Sequence, residues 1–345
     1  MPTNKVTVAK IAEHAGVSST TVSRVLNHRE LVKPDTAELV HNAIEELGYA
    51  LPERSIRSDA PTGEGVIVFN IPGTENPFYH EVISGANTAV SAHGYYLLVN
   101  YLQINYGTIE NFCAMLKRVN ACGVILSSRL PADLLNRINA LAPIVQCCEY
   151  NKDAEYPFVT VDDFAAAKAA TEYLIAAGRN KIGLINGPLS FKFATDRRDG
   201  YLSALESSKL SIPSGWMINL PEIDFDMAFS AVCQILNNEM VPNAFFTVSD
   251  VYAAAVIRSA KRYGLNVPND IMVIGFDNID TSIMMGPSIT TVNMPRHQLG
   301  FSAARMLFEV IDNPDTASSS KSLFIDTELI VRESTASVST PHIRG

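Results

Sequence analysis

The sequence predicts a small all-α head followed by a larger, two-lobed α/β core. Apolar side chains recur at helical spacing through the first fifty residues. From residue 65 onward, short apolar runs instead alternate with helix-length amphipathic segments, which is typical of parallel strands covered by helices on both faces. The chain has 345 residues, of which 47% are hydrophobic, enough to build several cores. Because the alternation restarts near residue 160, we expect two parallel sheets.

The head begins with a predicted helix and turn. Val8, Ile11, Ala12 and Ala15 fall at positions i, i+3, i+4 and i+7, and Gly16 then breaks the helix. A second helix follows, and a third spans residues 34–47 with its apolar residues facing inward. This order predicts a helix-turn-helix arrangement.

The second helix has the features of a DNA-reading helix. Ser18 suits its N-cap position, because the hydroxyl accepts a hydrogen bond from a free amide. Short hydroxyls, an arginine and an asparagine suit base edges and phosphates in a major groove. These side chains occupy the face opposite the apolar stripe, namely Ser19, Thr20, Ser23, Arg24 and Asn27.

Local charge also favours DNA binding by the head. The whole chain has a formal net charge of −9 and no overall attraction for nucleic acid. Residues 1–33, however, carry five basic and two acidic side chains, a local net charge of +3. Residues 34–60 have a net charge of −4, so we expect a solvated third helix that does not read the groove.

The head resembles the N-terminus of the LacI/GalR family of bacterial transcription regulators. The matching motifs are V-x-K-I-A-x-x-A-G-V-S-x-x-T-V-S-R-V-L-N, starting at Val8, and I-E-E-L-G-Y, starting at Ile44. The resemblance implies sequence-specific binding to double-stranded operator DNA, with repression as the family's default. The residues expected to contact DNA are Thr7, Val8, Ser18, Ser19, Thr20, Thr21, Ser23, Arg24, Asn27, Lys33 and Ile56.

A linker rich in Pro, Ser, Gly and charge joins the head to the core. In the family, this linker becomes a short helix on the operator and inserts an apolar residue into the minor groove. The family pattern is G-Y-x-P-N-x-x-A-R-x-L. Here Pro52 is displaced by one position, the Ala-Arg pair is missing and Ser58 replaces the leucine. Ile56 or Leu51 is the alternative wedge.

The core resembles the periplasmic-binding-protein-like core of the same family. The resemblance rests on NPFYHEV, R-x-x-G-Y-x-x-A-L, V-S-D-x-x-A and V-I-G-F-D-N. We expect a DNA-binding domain, a hinge, and an effector-binding and dimerisation domain made of a first and a second lobe. Their expected limits are 1–50, 51–63 and 64–345, with the first lobe at about 64–161 and 292–322 and the second at about 162–290 and 323–340.

Ligands of such folds bind beyond the carboxyl ends of the strands, in the crevice between lobes. The resemblance implies stacking rings after the first strand, a polar grip in R-x-x-G-Y, and acidic contacts after other strands. Alternatives remain open: Arg197 pairs with Asp196 or Asp199, Asp250 caps its own helix, and Phe193 is ordinary loop packing. The expected effector-binding residues are Phe78, Tyr79, Ser128, Glu149, Phe193, Arg197, Asp250 and Asp277.

The chemistry of these residues leaves the effector class open. Carboxylates with aromatic platforms suit a polyol, a sugar or a nucleoside equally. The segments C-C-E-Y and G-F-D-N-I-D-T resemble the cytidine-type, nucleoside-responsive branch of the family more closely than its lactose-type members. We expect a homodimer, because a two-fold axis matches palindromic operators. A tail-made tetramer is not expected, since STASVSTPHIRG has no leucine heptad.

Two rival classes lack their sequence signatures. The chain has no G-x-S-x-G, P-loop, H-E-x-x-H or strand-linked G-x-G-x-x-G motif, and its seven histidines are scattered. We therefore expect no catalytic residue, metal site or cofactor. A transport protein would need an export signal and would lack the head. With no apolar run of about 20 residues, no membrane contact is expected, and we predict a cytoplasmic protein.

The five cysteines show no paired metal-ligand spacing. We interpret them as reduced, buried, small hydrophobic residues. The adjacent Cys147 and Cys148 suggest a sensor of oxidants, but alternate faces of one strand explain the pair better. The other three are Cys113, Cys122 and Cys233.

Overall fold

The computed structural model separates the chain into Met1–Thr62 and Gly63–Gly345. It describes nearly all of the second unit and scattered positions of the first. The second helix, the linker and the C-terminal tail lie outside it, apart from single positions. The described residues are 12, 14–18, 21, 36, 39, 40, 43, 65–313 and 321–336.

The described part of the head contains the predicted turn. Gly16 has a φ of +64°, and the Val17 amide donates to the Ala12 carbonyl at 3.0 Å. A glycine in the left-handed region with this long-reaching bond ends the helix. The Ser18 Oγ then accepts a hydrogen bond from the Thr21 amide at 3.1 Å, which confirms its predicted N-cap role.

The core alternates strands and helices as predicted. Its helices are α1 (Phe78–Ala92), α2 (Ile109–Arg118), α3 (Ala132–Asn139), α4 (Asp163–Ala176), α5 (Lys192–Ser207), α6 (Phe225–Leu236), α7 (Asp250–Arg262), α8 (Thr281–Met284) and α9 (Arg296–Asp312). Its strands are β1 (Val66–Asn70), β2 (Tyr96–Asn100), β3 (Ala121–Leu126), β4 (Ile144–Cys147), β5 (Phe158–Thr160), β6 (Ile182–Asn186), β7 (Met217–Asn219), β8 (Ala244–Thr247), β9 (Met272–Asp277), β10 (Thr290–Asn293), β11 (Ser322–Phe324) and β12 (Glu328–Ile330). None of the described helices is long and apolar enough to cross a membrane.

Two sheets form the two lobes. The first has the order β11-β5-β4-β3-β1-β2, with every neighbouring pair parallel. The second has the order β12-β10-β9-β8-β6-β7 and is parallel except for β12, which runs antiparallel to β10. Helices flank both sheets, so the predicted fold class is confirmed, with one antiparallel edge strand added.

After β10 the chain returns from the second lobe to the first. Strand β10 pairs with β9 along its full length, so the second sheet continues to Asn293. Helix α9 then packs on α1 and on β3 and β4, which returns the chain to the first lobe. Strand β11 pairs with β5 as far as Phe324 before β12 joins the second sheet.

In both lobes, an asparagine at the end of the first strand forms a side-chain hydrogen bond with an asparagine at the end of the neighbouring strand. The Asn70 Nδ2 donates to the Asn100 Oδ1 at 2.9 Å, and the Asn186 Nδ2 donates to the Asn219 Oδ1 at 2.9 Å. Each bond ties the carboxyl end of one strand to that of its parallel neighbour. The chain therefore fixes the cleft end of both sheets in the same way.

Helices α1 and α9 pack with their backbones in contact. A Cβ added to Gly300 would lie 1.8 Å from the Val82 carbonyl oxygen, and one added to Gly85 would lie 1.9 Å from that of His297. Only glycine permits so close an approach. These two positions hold α9 against the first lobe.

Candidate effector site

Two adjacent cavities lie in the core, bounded by loops and helix starts that follow the strands. The inner cavity has a volume of about 30 Å³, room for one or two water molecules, and the outer one about 450 Å³. Both are bordered by Asn76, Tyr79, Phe193 and Ile223. The remaining inner residues are Phe78, Cys148, Glu149, Asp163, Arg197, Val248, Asp277 and Met294.

Arg197 is the centre of the inner site. Its Nε donates to the Asp163 Oδ1 at 2.8 Å, and its Nη1 donates to the Val248 carbonyl at 2.7 Å. The guanidinium lies 3.6 Å from the centroid of the Phe276 ring, and Nη1 lies 3.4 Å from the Asp277 Oδ1. Its predicted alternative partners, Asp196 and Asp199, are not those that hold it.

A buried ion-pair network surrounds Arg197, and two of its members, Asp163 and Lys192, were not predicted from the sequence. The Lys192 Nζ lies 2.8 Å from the Asp163 Oδ2 and 3.0 Å from the Asp196 Oδ2. Burial would raise the pKa of Asp163, but Arg197 and Lys192 together hold it below its usual value. Asp163 follows the segment where the strand pattern restarts, which is the signal that could have found it. No comparable sequence pattern marks Lys192 as a member of the site.

Glu149 links the two lobes. It follows β4 of the first lobe, and its carboxylate accepts hydrogen bonds from the Lys192 amide at 2.6 Å and the Phe193 amide at 3.0 Å. Those amides begin α5 of the second lobe, where free N–H groups attract negative charge. Burial nevertheless raises the pKa of Glu149 to about 7, although the two hydrogen bonds oppose the rise.

Asp277 ends β9 in a turn with an unusual backbone. Its φ is +99°, and Asn278 follows with a φ of +54°. The Arg296 Nη2 donates to the Asn278 carbonyl at 3.0 Å, and the Arg332 Nη2 donates to the Asn278 Oδ1 at 2.7 Å. Burial raises the pKa of Asp277, while Arg197 and Arg296 act in the opposite direction. The turn is held rigidly enough to present Asp277 to the cavity.

Asp250 lies apart from the other predicted contacts. It is fully buried and lines neither the inner nor the outer cavity of the described core. Its Oδ2 accepts a hydrogen bond from the Ile279 amide at 2.9 Å, which fastens the turn after β9. Its helix is capped by Ser249, whose Oγ accepts from the Val251 amide at 3.3 Å, so the predicted cap role of Asp250 is wrong. Burial raises the pKa of Asp250 well above its usual value.

The structure places the remaining predicted effector contacts as follows. Phe78 lines the inner cavity, and its ring meets that of Tyr79 edge to face, with centroids 5.2 Å apart. Phe193 borders both cavities and lies 5.0 Å from the Arg197 guanidinium. Ser128 lines only the outer cavity. Seven of the eight predicted side chains thus border the cleft.

Most of the predicted DNA contacts lie outside the described residues. Of the eleven, Ser18 and Thr21 are described, and they bond to each other through their hydroxyls at 2.8 Å. The others are Thr7, Val8, Ser19, Thr20, Ser23, Arg24, Asn27, Lys33 and Ile56.

The adjacent cysteines do not point to opposite faces of a strand, so that interpretation is wrong. Strand β4 ends at Cys147, and Cys148 adopts a φ of +68°. The left-handed residue ends the alternation, and the two sulfur atoms lie 3.7 Å apart. Cys148 lines the inner cavity.

Family models match both parts of the chain. "Bacterial regulatory proteins, lacI family" covers residues 7–51, and "Periplasmic binding protein-like domain" covers residues 171–335. A solved structure described as the transcriptional regulator CelR–cellobiose complex has a TM-score of 0.70 at 26% identity, covering 95% of this chain and 99% of that one.

Curated relatives match nearly the whole chain. The transcriptional repressor CytR of Escherichia coli K12 is 32% identical over 331 residues, which are 95% of this chain and 96% of CytR. The transcriptional repressor PurR of Haemophilus influenzae PittEE is 31% identical over 339 residues, which are 96% of this chain and 99% of PurR. These relatives are repressors and not enzymes. The chain belongs to the lacI family of bacterial regulatory proteins, which control transcription by effector-dependent DNA binding.

Proposed function

We propose that this repressor is controlled by a nucleoside that binds between the lobes of its core. The observation that carries the proposal is the placement of two aromatic rings. Tyr79 belongs to α1 of the first lobe and Phe193 to α5 of the second, and both border both cavities. A flat base between rings from two lobes gains stacking contacts from each and favours a closed cleft. A sugar can also pack its C–H face on an aromatic ring, but a planar base offers two π faces, one for each ring.

The polar groups of the inner site suit the rest of a nucleoside. Arg197 donates, while Asp277 accepts from ribose hydroxyls or ring N–H groups. Glu149, with a pKa of about 7, is present in both protonation states near neutrality and can accept or donate. In the structure these groups bond to other protein groups, Arg197 to Asp163 and Glu149 to backbone amides, and the inner cavity has a volume of only about 30 Å³. Ligand entry therefore requires the cleft to rearrange, which couples binding to lobe movement.

The head is the part of the chain that binds DNA. We propose that Arg24, Ser19 and Thr20 read base edges and that Lys33 contacts phosphate. The other predicted DNA residues are proposed to position the head on the groove. The altered linker, with Ile56 or Leu51 as its wedge, would accept a wider range of half-site spacings.

We propose that the repressor acts in the cytoplasm as a homodimer. Large apolar side chains are exposed at the edge strand β2 and on α8: Tyr96 is 69% exposed, Ile283 60% and Met284 78%. Contiguous exposed apolar surface marks association sites, and we propose that these side chains become part of one in the dimer. Light scattering on the purified protein should give twice the chain mass, and a monomer at all concentrations would contradict the proposal.

A thermal-shift screen tests the effector class. The purified chain is heated with nucleosides, nucleobases, pentoses, hexoses or phosphorylated sugars. A ligand at a hundredfold excess over its Kd stabilises by about 2.7 kcal/mol. We expect nucleosides to raise the melting temperature and sugars to leave it unchanged. A sugar that stabilises where nucleosides do not would overturn the effector class and keep the family.

A matched pair of variants tests the stacking role. Phe191 lines only the outer cavity, whereas Phe193 borders both. Phe193→Leu should weaken nucleoside binding by about 1 kcal/mol, the value of one aromatic contact. Phe191→Leu is the control and should bind nearly as well as the parent in calorimetric titration. Equal losses in the two variants would contradict stacking on Phe193.

A further inference from the structure

Cys147 and Cys148 form a pair of thiols with an unusual backbone. The Glu149 amide donates to the Cys147 carbonyl at 2.8 Å, which closes a γ-turn around Cys148. With a φ of +68°, this turn is a strained conformation for a residue with a side chain. It brings the two sulfur atoms to 3.7 Å from each other.

The surrounding hydrogen bonds hold this turn in place. The Ser127 Oγ donates to the Cys147 carbonyl at 2.9 Å, and the Thr160 Oγ1 donates to the Cys148 carbonyl at 2.7 Å. The Cys148 amide donates to the Val159 carbonyl at 2.8 Å. The turn is fixed from both neighbouring strands, so the two thiols are already in position for a shared ligand.

The pair lies at the inner cavity, so a rearrangement of the cleft that admits a ligand also exposes it to small molecules. Cys148 is partly exposed and lines the inner cavity, while Cys147 is fully buried behind it. None of the other three described cysteines has a second sulfur within hydrogen-bonding distance. The pair is therefore distinct from every other thiol of the chain.

The geometry argues against a disulfide as the product. Adjacent Cα atoms are about 3.8 Å apart across a trans peptide, which is shorter than the separation across ordinary disulfides. Oxidation would also have to bring the sulfur atoms to about 2.05 Å. Hydrogen bonding to Cys147, burial and the Glu149 carboxylate raise the pKa of Cys148, so the thiolate that oxidants attack is scarce.

A bridging atom avoids both obstacles. An atom bonded to both sulfurs keeps them apart, so the observed separation needs little change. Trivalent arsenic condenses with protonated thiols: As(OH)₃ and two R–SH give (RS)₂As–OH and two waters. Two As–O bonds break, two As–S bonds form, the thiol protons leave in the waters, and no electrons are transferred.

We propose that Cys147 and Cys148 form a dithiol site for trivalent arsenic at the floor of the effector cleft. Because both thiols lie on one fixed turn, the second As–S bond forms intramolecularly and at high effective concentration. Loss of either thiol should lower the affinity for arsenite by about a hundredfold or more.

The probe is sodium arsenite with the reduced full-length chain. After gel filtration, elemental mass spectrometry should find one arsenic per chain, released by 2,3-dimercaptopropanol. Cys148→Ser and Cys147→Ala should retain almost none, and Cys233→Ser, a matched single thiol, should retain one. Melting curves of the variants establish that each is folded.

Three results would overturn the site: no arsenic on the folded parent chain, full retention by folded Cys148→Ser, or loss of arsenic from Cys233→Ser. The readout uses neither operator nor effector. If no nucleoside binds but one arsenic is retained per chain, the proposed function is rejected and this site stands. If a nucleoside binds but no arsenic is retained, this site is rejected and the proposed function stands.

Discussion

At the scale of single residues, the inner site is an ion-pair network that is already satisfied by the protein. Arg197 and Lys192 share the two oxygens of Asp163 at 2.8 Å each. Removing one partner of such a buried pair is costly, because a charge remains without compensation. The 3.4 Å contact between Arg197 and Asp277 is the longest of these links, so it is the one that a ligand displaces most easily.

Glu149 makes the stability of the core depend on pH. Its pKa is raised to about 7, so the folded state favours the neutral carboxyl. This contribution is fully present below the ordinary value of 4.5 and is lost as the pH rises through about 7. Between about pH 5 and pH 8, the loss amounts to roughly 2 to 3 kcal/mol.

Glu149→Gln is neutral throughout and should remove this dependence. Urea unfolding at several pH values should show the variant gaining on the parent chain as the pH rises. Glu206→Gln, near the exposed end of α5, is the control and should follow the parent chain. A constant difference between Glu149→Gln and the parent at every pH would contradict the raised pKa.

The family motifs predicted Arg197, Glu149 and Asp277: Glu149 follows β4, Asp277 ends β9, and Arg197 lies in the R-x-x-G-Y segment of α5. They could not reveal that Asp163 and Lys192 neutralise the same site, since these partners are 29 residues apart and meet only through tertiary packing. The V-S-D motif predicted Asp250 as a ligand contact. It could not reveal that the Asp250 carboxylate accepts a hydrogen bond from the Ile279 amide in the turn after β9.

At the scale of elements, alternating apolar runs predicted the strands, and buried parallel strands explain why the pattern was so clear. The antiparallel β12 was not foreseen, because strand direction is set by how the chain returns from the first lobe. The prediction that Cys147 and Cys148 lie on alternate faces of one strand was wrong for a local reason. Alternation holds only within a strand, and β4 ends one residue too early for Cys148.

The contact between α1 and α9 provides a test at this scale. Alanine is intrinsically better than glycine in a helix by about 1 kcal/mol. In Gly300→Ala, however, the new Cβ would meet the Val82 carbonyl oxygen at 1.8 Å, and backbone cannot easily move. We expect a net loss of about 1 to 3 kcal/mol, typical of overpacking.

Gly215→Ala is the matched control, because nothing lies within 4 Å of its Cβ position. Its stability should stay within about 0.5 kcal/mol of the parent chain. Chemical denaturation of the core gives both values. An equally stable Gly300→Ala would show that the helices separate at little cost and would contradict the close backbone contact.

At the scale of the whole molecule, the sequence predicted the head, the two-sheet core and the cleft, because each depends on periodicity and chain order. The sequence could not predict how full the inner site is. That property arises from side chains of both lobes meeting at Glu149, whose hydrogen bonds reach α5. Since this link joins the lobes, we expect any ligand that breaks it to change the lobe arrangement and, through the linkers, the heads.

Effector and operator binding must therefore be linked reciprocally. To shift a two-state equilibrium from 1:99 to 99:1, a ligand must bind one state more strongly by about 5.5 kcal/mol. The coupling free energy between two binding sites is typically about 1 to 3 kcal/mol. Arg24→Ala, in the proposed reading helix, should lower operator affinity by about 1 to 3 kcal/mol with or without effector. It separates loss of DNA reading from loss of coupling.

The most direct test measures operator affinity as a function of nucleoside concentration. An operator is selected in vitro from random duplex DNA with the full-length chain, and its Kd is followed by fluorescence anisotropy at constant salt. We predict that a nucleoside identified by thermal shift changes the operator Kd at least about fivefold, and that Phe193→Leu requires more nucleoside for the same change. An operator Kd that stays constant while the nucleoside saturates the core would contradict control of DNA binding from this cleft.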